Sequence, residues 1–315
     1  MMEATRSGDL ERGMDLLARL PEVMPDEADP YVRLIYEDIR NTLRVPFVNT
    51  IFRVLANYPT YLSFVWSQLG PYLRKRSMEH AADELRTGNT LGPLLEEVGA
   101  PAPPDWAALG DLERIRPFTD AMHYVAPKLL LVATAFDDEL LDHDASDTDA
   151  RADQGAGVPL GWIPIGPAQG TVSLPLIAPH EAPGQIQTLF EAIARRHGHP
   201  LVATYYRALA NWPQFLRVVW DYLEPIVGSA AYARHKEDVI DRALQVVRRL
   251  SLPRTGTAAA FGVTEAELAD IRALLAVFRL RLIPDILLDV TLVKALLDGG
   301  GAARSSRFSV AAPMG

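Results

Sequence analysis

The chain lacks several common residue patterns, and each absence excludes a class of protein. It has no cysteine in 315 residues, which excludes disulfides, cysteine-ligated zinc or iron–sulfur centres and a thiol nucleophile. It has 31 Lys and Arg against 40 Asp and Glu, a net charge of −9, and no long basic run. We therefore expect no nucleic-acid partner and no binding to anionic membranes, because both need clustered positive charge.

Long uninterrupted apolar runs are also missing. The most apolar stretch, residues 271–297, is interrupted by the charged side chains of Arg272, Arg279, Arg281, Asp285, Asp289 and Lys294. A bilayer-spanning helix does not carry charges at that density, and residues 1–9 hold no apolar secretory core. The sequence therefore predicts a soluble, cytoplasmic protein with no membrane partner.

Signature motifs for cofactors are absent too. The chain contains no GxGxxG, Walker, HExxH or GxSxG pattern, so none of these motifs indicates a nucleotide cofactor, a metal or a serine nucleophile. The seven histidines are scattered. His197 and His199 lie two residues apart, which on a continuous helix directs their rings to different faces and argues against a shared metal site.

What the chain does contain is a long internal repeat. Residues 36–73 align without a gap to residues 190–227, and at the centre RVLANYP (53–59) matches RALANWP (207–213). A period this long exceeds the repeat units of solenoids and indicates a duplicated domain. Two similar domains usually pack about an approximate two-fold axis, and the cleft between them is a common place for ligands.

Helical periodicity dominates the whole chain. We expect an all-α fold in which two homologous helical domains pack as an intramolecular pseudo-dimer. The expected divisions are domains at 1–142 and 185–298, a Gly/Pro/Asp-rich linker at 143–184 and a disordered tail at 299–315.

The prolines predict where helices begin and break, and the composition of the N-terminus predicts how it is attached. Helices are expected to begin at Pro46 and to break at Pro127 and Pro284, because proline lacks the N–H that a helix interior requires. The first thirty residues suggest a lightly attached helix.

Two polar patterns within the repeat leave alternatives open. One is a stripe on a single helical face, which is either a solvated face or the lining of the cleft. It consists of Thr50, Arg53 and Asn57 in the first copy and of Thr204, Arg207 and Asn211 in the second. The other pattern is a pair of opposite charges at corresponding positions, Lys128 and Asp285. Either these two residues form an ion pair across the axis, or Asp285 and Asp289 form a carboxylate pair in a site.

Several longer motifs identify a family that the chain resembles. They are YEDIR (36–40), TLRVP (42–46), AADELR (81–86), GPL (92–94), PK (127–128) and ALANWP (208–213). These residues resemble the group I 2-haloacid dehalogenases, and the resemblance extends from about Leu20 to Asp298. It implies an active site between two helical halves and cofactor-free hydrolysis of 2-haloalkanoic acids. In that family an aspartate activates water to displace halide directly, with inversion.

The chain departs from the family at that aspartate. The resemblance places it eight residues before Pro213, where this chain has Tyr205. The neighbouring serine, which helps to bind substrate, corresponds to Thr204, and the aromatic residue after the Val-Pro turn is kept as Phe47. A tyrosine of the penultimate helix is replaced by Arg279.

These substitutions define the expected site and two hypotheses. Tyr205 marks the catalytic position. The replacement base is His123, whose imidazole titrates near neutral pH, or Asp120. Arg279 is expected to hold a substrate carboxylate, or else to pair with a local acid such as Asp285. The first hypothesis is a dehalogenase-like hydrolase of small 2-halocarboxylic acids. The alternative is a non-catalytic or repurposed relative that binds a small carboxylic acid. Homo-oligomerisation stays open.

Overall fold

The computed structural model describes residues 2–88, 104–136, 161–250, 252 and 258–310. Over these ranges the fold is helical, as the sequence predicts, and contains no β-strand; Lys75 and Trp162 form one isolated bridge. No described helix combines the length and apolarity that crossing a bilayer requires. The helices are α1 Met2–Arg19, α2 Pro30–Leu43, α3 Thr50–Leu55, α4 Pro59–Leu73, α5 Arg76–Gly88, α6 Trp106–Leu109, α7 Leu112–Ala135, α8 Gly184–His197, α9 Thr204–Leu209, α10 Pro213–Val227, α11 Ala230–Arg249, α12 Glu265–Val277 and α13 Ile283–Asp298.

The repeat in the sequence is a repeat of helices. Helices α2, α3 and α4 begin and end 154 residues before α8, α9 and α10. The contacts that fix the short middle helix recur as well. Asn57 donates to the carbonyl oxygen of Val54, and Asn211 donates to that of Ala208. Both asparagines therefore cap the end of a helix. They do not belong to the lining of the cleft, which was the other alternative for the polar stripe.

Helices α7 and α13 pack against each other between the two copies, and α5 and α11 flank them. Helix α1 lies along α12, which belongs to the second half. Gly13 approaches this helix so closely that a Cβ there would stand 2.1 Å from the carbonyl oxygen of Ala273, and Arg12 donates to Asp270. The N-terminal helix is therefore firmly packed, contrary to the light attachment that its composition suggests.

Helix α7 runs through Pro117 and Pro127 without a break, so the predicted interruption at Pro127 is wrong. Pro127 has no N–H for the carbonyl oxygen of His123, one turn earlier. The buried guanidinium of Arg86 supplies replacement donors, 3.1 Å from the carbonyl oxygen of Tyr124 and 3.5 Å from that of His123. A side chain from α5 therefore stabilises a proline inside α7.

The second copy accommodates its proline differently. Residues Phe278–Leu282 form a π-helical turn that joins α12 to α13, and the N–H of Ile283 bonds to the carbonyl oxygen of Phe278. The wider turn carries the helical path past Pro284, which lacks a donor. The chain here does not break but changes pitch. Pro46 also differs from expectation, because the helix that follows it begins only at Thr50.

The C-terminal segment packs onto the first half. Phe308 is buried, its ring lies edge-on to Tyr124, and its carbonyl oxygen accepts a hydrogen bond from Arg44. Ala303 is also buried. The expectation of a disordered tail is therefore wrong for residues 299–310, because apolar anchors among its small residues fill a gap in the core; residues 311–315 lie outside the described ranges.

The described part of the linker, residues 161–183, runs along both halves. The N–H of Ala168 bonds to the carbonyl oxygen of Arg44, and that of Ile177 bonds to the carbonyl oxygen of Arg207. Ile163 is buried in this segment. These contacts fit a surface connector; the division into domains otherwise stays a prediction, and residues 143–160 are outside the described ranges.

Candidate functional site

A cavity of about 40 Å³ lies between the two copies of the repeat. Its walls include corresponding residues from each copy: Thr50 with Thr204, Ile51 with Tyr205, and Ala126 with Ile283. The remaining walls are mainly aliphatic. This position agrees with the cleft that the repeat predicts, and the space suits a small molecule with an apolar body.

The polar edge of the cavity is built from the repeated stripe. The hydroxyls of Thr50 and Thr204 are 2.8 Å apart. The buried guanidinium of Arg53 donates to both, at 3.1 Å to Thr50 and 2.8 Å to Thr204. The sequence left open whether this stripe is solvated or lines the cleft, and its threonine end lines the cleft.

Charge at this edge is unbalanced. Arg53 and Arg207, which correspond in the repeat, share one acceptor: Glu22 Oε2 lies 3.0 Å from Arg53 Nε and 3.0 Å from Arg207 Nη1. One carboxylate therefore compensates two guanidinium groups. The surplus positive charge lies behind two hydroxyls, an arrangement that favours an anionic group such as a carboxylate.

Tyr205 is fully buried in the cavity wall. Its hydroxyl is 3.1 Å from the Thr119 hydroxyl, and its ring stacks on Phe118 at 6.0 Å between centroids. Phe47, half-buried, lies near Phe118 with 5.6 Å between the ring centroids. Burial raises the pKa of Tyr205 above its ordinary value, so the phenol is neutral and is not a phenolate that could accept a proton from water.

His123 and Arg279 lie outside the cavity lining that the structure describes. His123 Nε2 is 3.0 Å from the carbonyl oxygen of Ala303, and burial, with Arg86 nearby, lowers the pKa of His123 to about 3. Its neighbour Met122 lines the cavity instead. Arg279 is buried in the π-helical turn. The geometry thus brings together Thr204 and Tyr205 of the predicted site residues.

Sequence reasoning missed two residues at the cavity. Arg53 was recognised only as part of the stripe, and its contact with the opposite copy required the fold. Asn49 lines the cavity, and its buried Oδ1 has no hydrogen-bond partner. No sequence signal singles out Asn49, because its counterpart in the repeat is Ala203.

A second polar cluster lies between α8 and α13. Asp285 accepts hydrogen bonds from His199 Nε2 at 2.8 Å and from Lys236 Nζ at 2.9 Å. Tyr206 and Tyr232 donate to the two oxygens of Asp289, at 2.7 and 2.8 Å. Burial alone would raise the pKa of Asp285, but His199 and Lys236 lower it below its ordinary value, so this carboxylate is ionised.

The histidine pair differs from expectation. Helix α8 ends at His197, and Gly198 adopts a left-handed conformation with φ 68°. This turn releases His199 from the helical periodicity, so the two rings stack with centroids 5.0 Å apart. His197, His199 and Asp285 each offer a ligand atom within 4.8 Å of the others, which corrects the view that the spacing separates the two rings.

The predicted pairing of Lys128 with Asp285 is also wrong. Lys128 binds Glu79 at 2.5 Å, and Asp285 binds Lys236 at 2.9 Å. Glu79 and Lys128 precede Lys236 and Asp285 by the same 157 residues. Each half therefore contains its own ion pair, with the positions of the acid and the lysine exchanged, and neither pair joins the two halves.

The known proteins that this chain resembles are described by an activity on halogenated carboxylic acids. A family model described as halocarboxylic acid dehydrogenase DehI matches residues 46–155. A protein of Alcaligenes xylosoxydans xylosoxydans described as a configuration-inverting 2-haloacid dehalogenase is 32% identical over 301 residues, which cover 93% of this chain and 99% of the relative. An (R)-2-haloacid dehalogenase of Pseudomonas putida is 25% identical over 270 residues, covering 80% of this chain and 84% of the relative.

Solved structures share the fold. A D-2-haloacid dehalogenase in complex with L-LA superposes with a TM-score of 0.72 at 24% identity, covering 86% of this chain and 94% of the other. A mutant of a D-2-haloacid dehalogenase with D-2-CPA gives a TM-score of 0.73 at 23% identity, covering 89% and 96%. At these identities the likeness concerns the architecture alone.

Proposed function

Since the chain belongs to the configuration-inverting 2-haloacid dehalogenase family, we propose that it is a dehalogenase-like hydrolase whose central cavity binds small 2-halocarboxylic acids. The observation that carries this proposal is the construction of the cavity. Aliphatic walls face the alkyl and halogen end of such a molecule, and Thr50, Thr204 and Arg53 offer its carboxylate two hydroxyls backed by a positive charge.

The reaction consists of one displacement. A water oxygen attacks C2 of the acid, the carbon–halogen bond breaks with its electron pair, and the products are a 2-hydroxy acid, a halide ion and a proton. The attacking water has to transfer that proton to a base within hydrogen-bond reach. Direct attack inverts the configuration at C2.

The mechanism that the family implies needs a general base, and this chain lacks the expected one. Tyr205 occupies the position that the resemblance assigns to the aspartate, and its neutral phenol is bonded to Thr119. The described lining contains no carboxylate and no imidazole. We therefore expect turnover to be slow. The same observation favours a second candidate function, a carboxylate-binding relative without catalysis.

Substituting Tyr205 tests the proposal. Tyr205→Asp supplies a carboxylate at the cavity and removes the ring that fills the space for water. We expect wild type to be stabilised by 2-chloropropionate in a thermal shift assay while releasing chloride slowly. Tyr205→Asp should release chloride at least about 100-fold faster, since a positioned general base contributes about 10²–10⁴-fold.

Ile51→Asp is the matched control, because Ile51 occupies the corresponding place in the other copy and lines the same cavity. We expect it to give no gain in chloride release. Two results would contradict the proposal. Absence of any thermal shift would show that the cavity does not bind the acid. Rapid chloride release by wild type and Tyr205→Phe alike would show that the base lies elsewhere.

A further inference from the structure

The polar cluster between α8 and α13 has the composition of a metal site. Two imidazoles, His197 and His199, meet two carboxylates, Asp285 and Asp289, which are one turn apart on α13. Imidazole nitrogen and carboxylate oxygen are ligands that Zn²⁺ and related divalent ions use. One ligand atom from each of His197, His199 and Asp285 lies within 4.8 Å of the others.

An independent observation concerns His197. Its side chain is 2% exposed, and neither ring nitrogen has a hydrogen-bond partner. Nε2 approaches Asp289 Oδ2 to 3.2 Å without hydrogen-bonding geometry, and Nδ1 is 3.9 Å from Asp285 Oδ2. A buried polar group without a partner is costly, and an ion between the ring and the carboxylates would satisfy it.

The surroundings of the cluster are those of a supported site. Tyr206 and Tyr232 hold both oxygens of Asp289, and Lys236 holds Asp285. Such outer partners orient ligating side chains. Two carboxylates against one lysine leave one negative charge, which either a bound cation or a protonated imidazole balances.

We propose that His197, His199 and Asp285, with Asp289 as a fourth ligand, bind a divalent transition-metal ion such as Zn²⁺. The ion ties the end of α8 to α13 and lies behind Tyr206, one residue from Tyr205. The site is separate from the proposed haloacid cavity, because none of its four residues belongs to the described lining of that cavity. Binding of the ion therefore does not depend on dehalogenase activity.

Metal titration of the full chain tests the proposal. After treatment with a chelator, we expect wild type to bind Co²⁺ with one-to-one stoichiometry, seen as visible d–d absorption that Zn²⁺ displaces, and Zn²⁺ should raise its melting temperature. His199→Gln and His197→Gln should each weaken binding by at least about tenfold. His180→Gln, which changes a side chain 82% exposed, should bind as wild type does.

Helical circular dichroism of each variant separates loss of the site from loss of the fold, and the wild-type titration is decisive even if both variants unfold. Wild type that binds neither Co²⁺ nor Zn²⁺ at millimolar concentration would overturn the proposal, leaving a proton as the cation of the cluster. Unchanged binding in folded His197→Gln and His199→Gln would overturn it as well.

Discussion

Arg44 and Gly198 occupy the same position of the repeat, directly after α2 and α8. Both adopt the left-handed conformation, with φ 63° and 68°. Glycine does so freely, whereas a side chain costs about 1–2 kcal/mol. Arg44 offsets that cost because its buried guanidinium donates to Tyr124 at 3.1 Å and to the carbonyl oxygen of Phe308 at 2.9 Å.

His123 gives a prediction about acid stability. Its folded pKa is lowered to about 3, whereas the unfolded chain takes up a proton near pH 6.5. Between these values the unfolded state binds more protons, so stability is lost as pH falls, approaching about 1.4 kcal/mol per pH unit below pH 6. His123→Gln should flatten this slope by nearly that amount.

Urea unfolding at a series of pH values from 7 to 4.5 measures the slope. The matched control is His180→Gln, at an exposed position, and it should keep the wild-type slope. Equal slopes for His123→Gln and wild type would mean that His123 titrates normally, which is the behaviour expected of a catalytic base rather than of a buried donor to Ala303.

At the residue scale, the sequence predicted which residues lie at the cleft better than it predicted which residues contact each other. Thr204 and Tyr205 could be placed at the cleft because the family resemblance assigns the substrate-binding and catalytic positions to them. The meeting of His197 and His199 could not, because the spacing rule assumes a continuous helix and Gly198 ends it. The role of Arg53 was equally hidden, since its partner Thr204 is 151 residues away.

At the scale of helices, the ungapped repeat of the sequence is matched in the structure, where α2, α3 and α4 have the same lengths as α8, α9 and α10. The sequence predicts breaks at Pro127 inside α7 and at Pro284, the second residue of α13, and the structure contains neither break. A helix continues past a proline when a distant donor or a wider turn satisfies the freed carbonyl groups. Arg86 and the π-helical turn do this, and neither is visible in local sequence.

The ion pair between α5 and α7 gives a second prediction. Glu79 and Lys128 are buried, with side chains 1% and 2% exposed. Burial would raise the pKa of Glu79, but Lys128 lowers it, and burial lowers the pKa of Lys128 to about 8. Lys128→Met should cost about 3–5 kcal/mol, because it leaves a buried carboxylate without its counter-charge.

The double variant Glu79→Met with Lys128→Met should recover part of that loss, which a double-mutant cycle of urea unfolding measures. Arg217→Met is the control, because its pair with Asp221 is about half exposed, and its effect should stay within about 0.5 kcal/mol. A double variant as unstable as the sum of its single variants would show that the pair is not coupled.

At the scale of the molecule, Glu22 joins the two halves. It lies between Arg53 and Arg207, whose side chains are 3% and 11% exposed. Glu22→Gln removes the charge and leaves two guanidinium groups facing each other, so we expect a loss of about 3 kcal/mol in urea unfolding. The exposed Glu27→Gln serves as control and should be neutral. Wild-type stability in Glu22→Gln would show that the arginines need no counter-charge.

The repeat predicts a cleft between the two copies, and the contact of Thr50 with Thr204 between them agrees with it. The repeat does not predict where the two copies differ. The segments around Glu22 and Leu176 correspond, since the N–H of Val23 bonds to the carbonyl oxygen of Arg53 and that of Ile177 bonds to the carbonyl oxygen of Arg207, yet only the first segment carries the carboxylate. The segment that holds Phe308 follows the second copy and occurs once.

The packing of the C-terminal segment sets the order in which the protein can be completed. Ala303 and Phe308 cover Arg44, His123 and Tyr124 of the first half, yet the ribosome makes them after the whole second half. A nascent chain that ends within the second half therefore exposes an unfinished apolar surface on the first. The first half can therefore complete its core only after the second half has been synthesised.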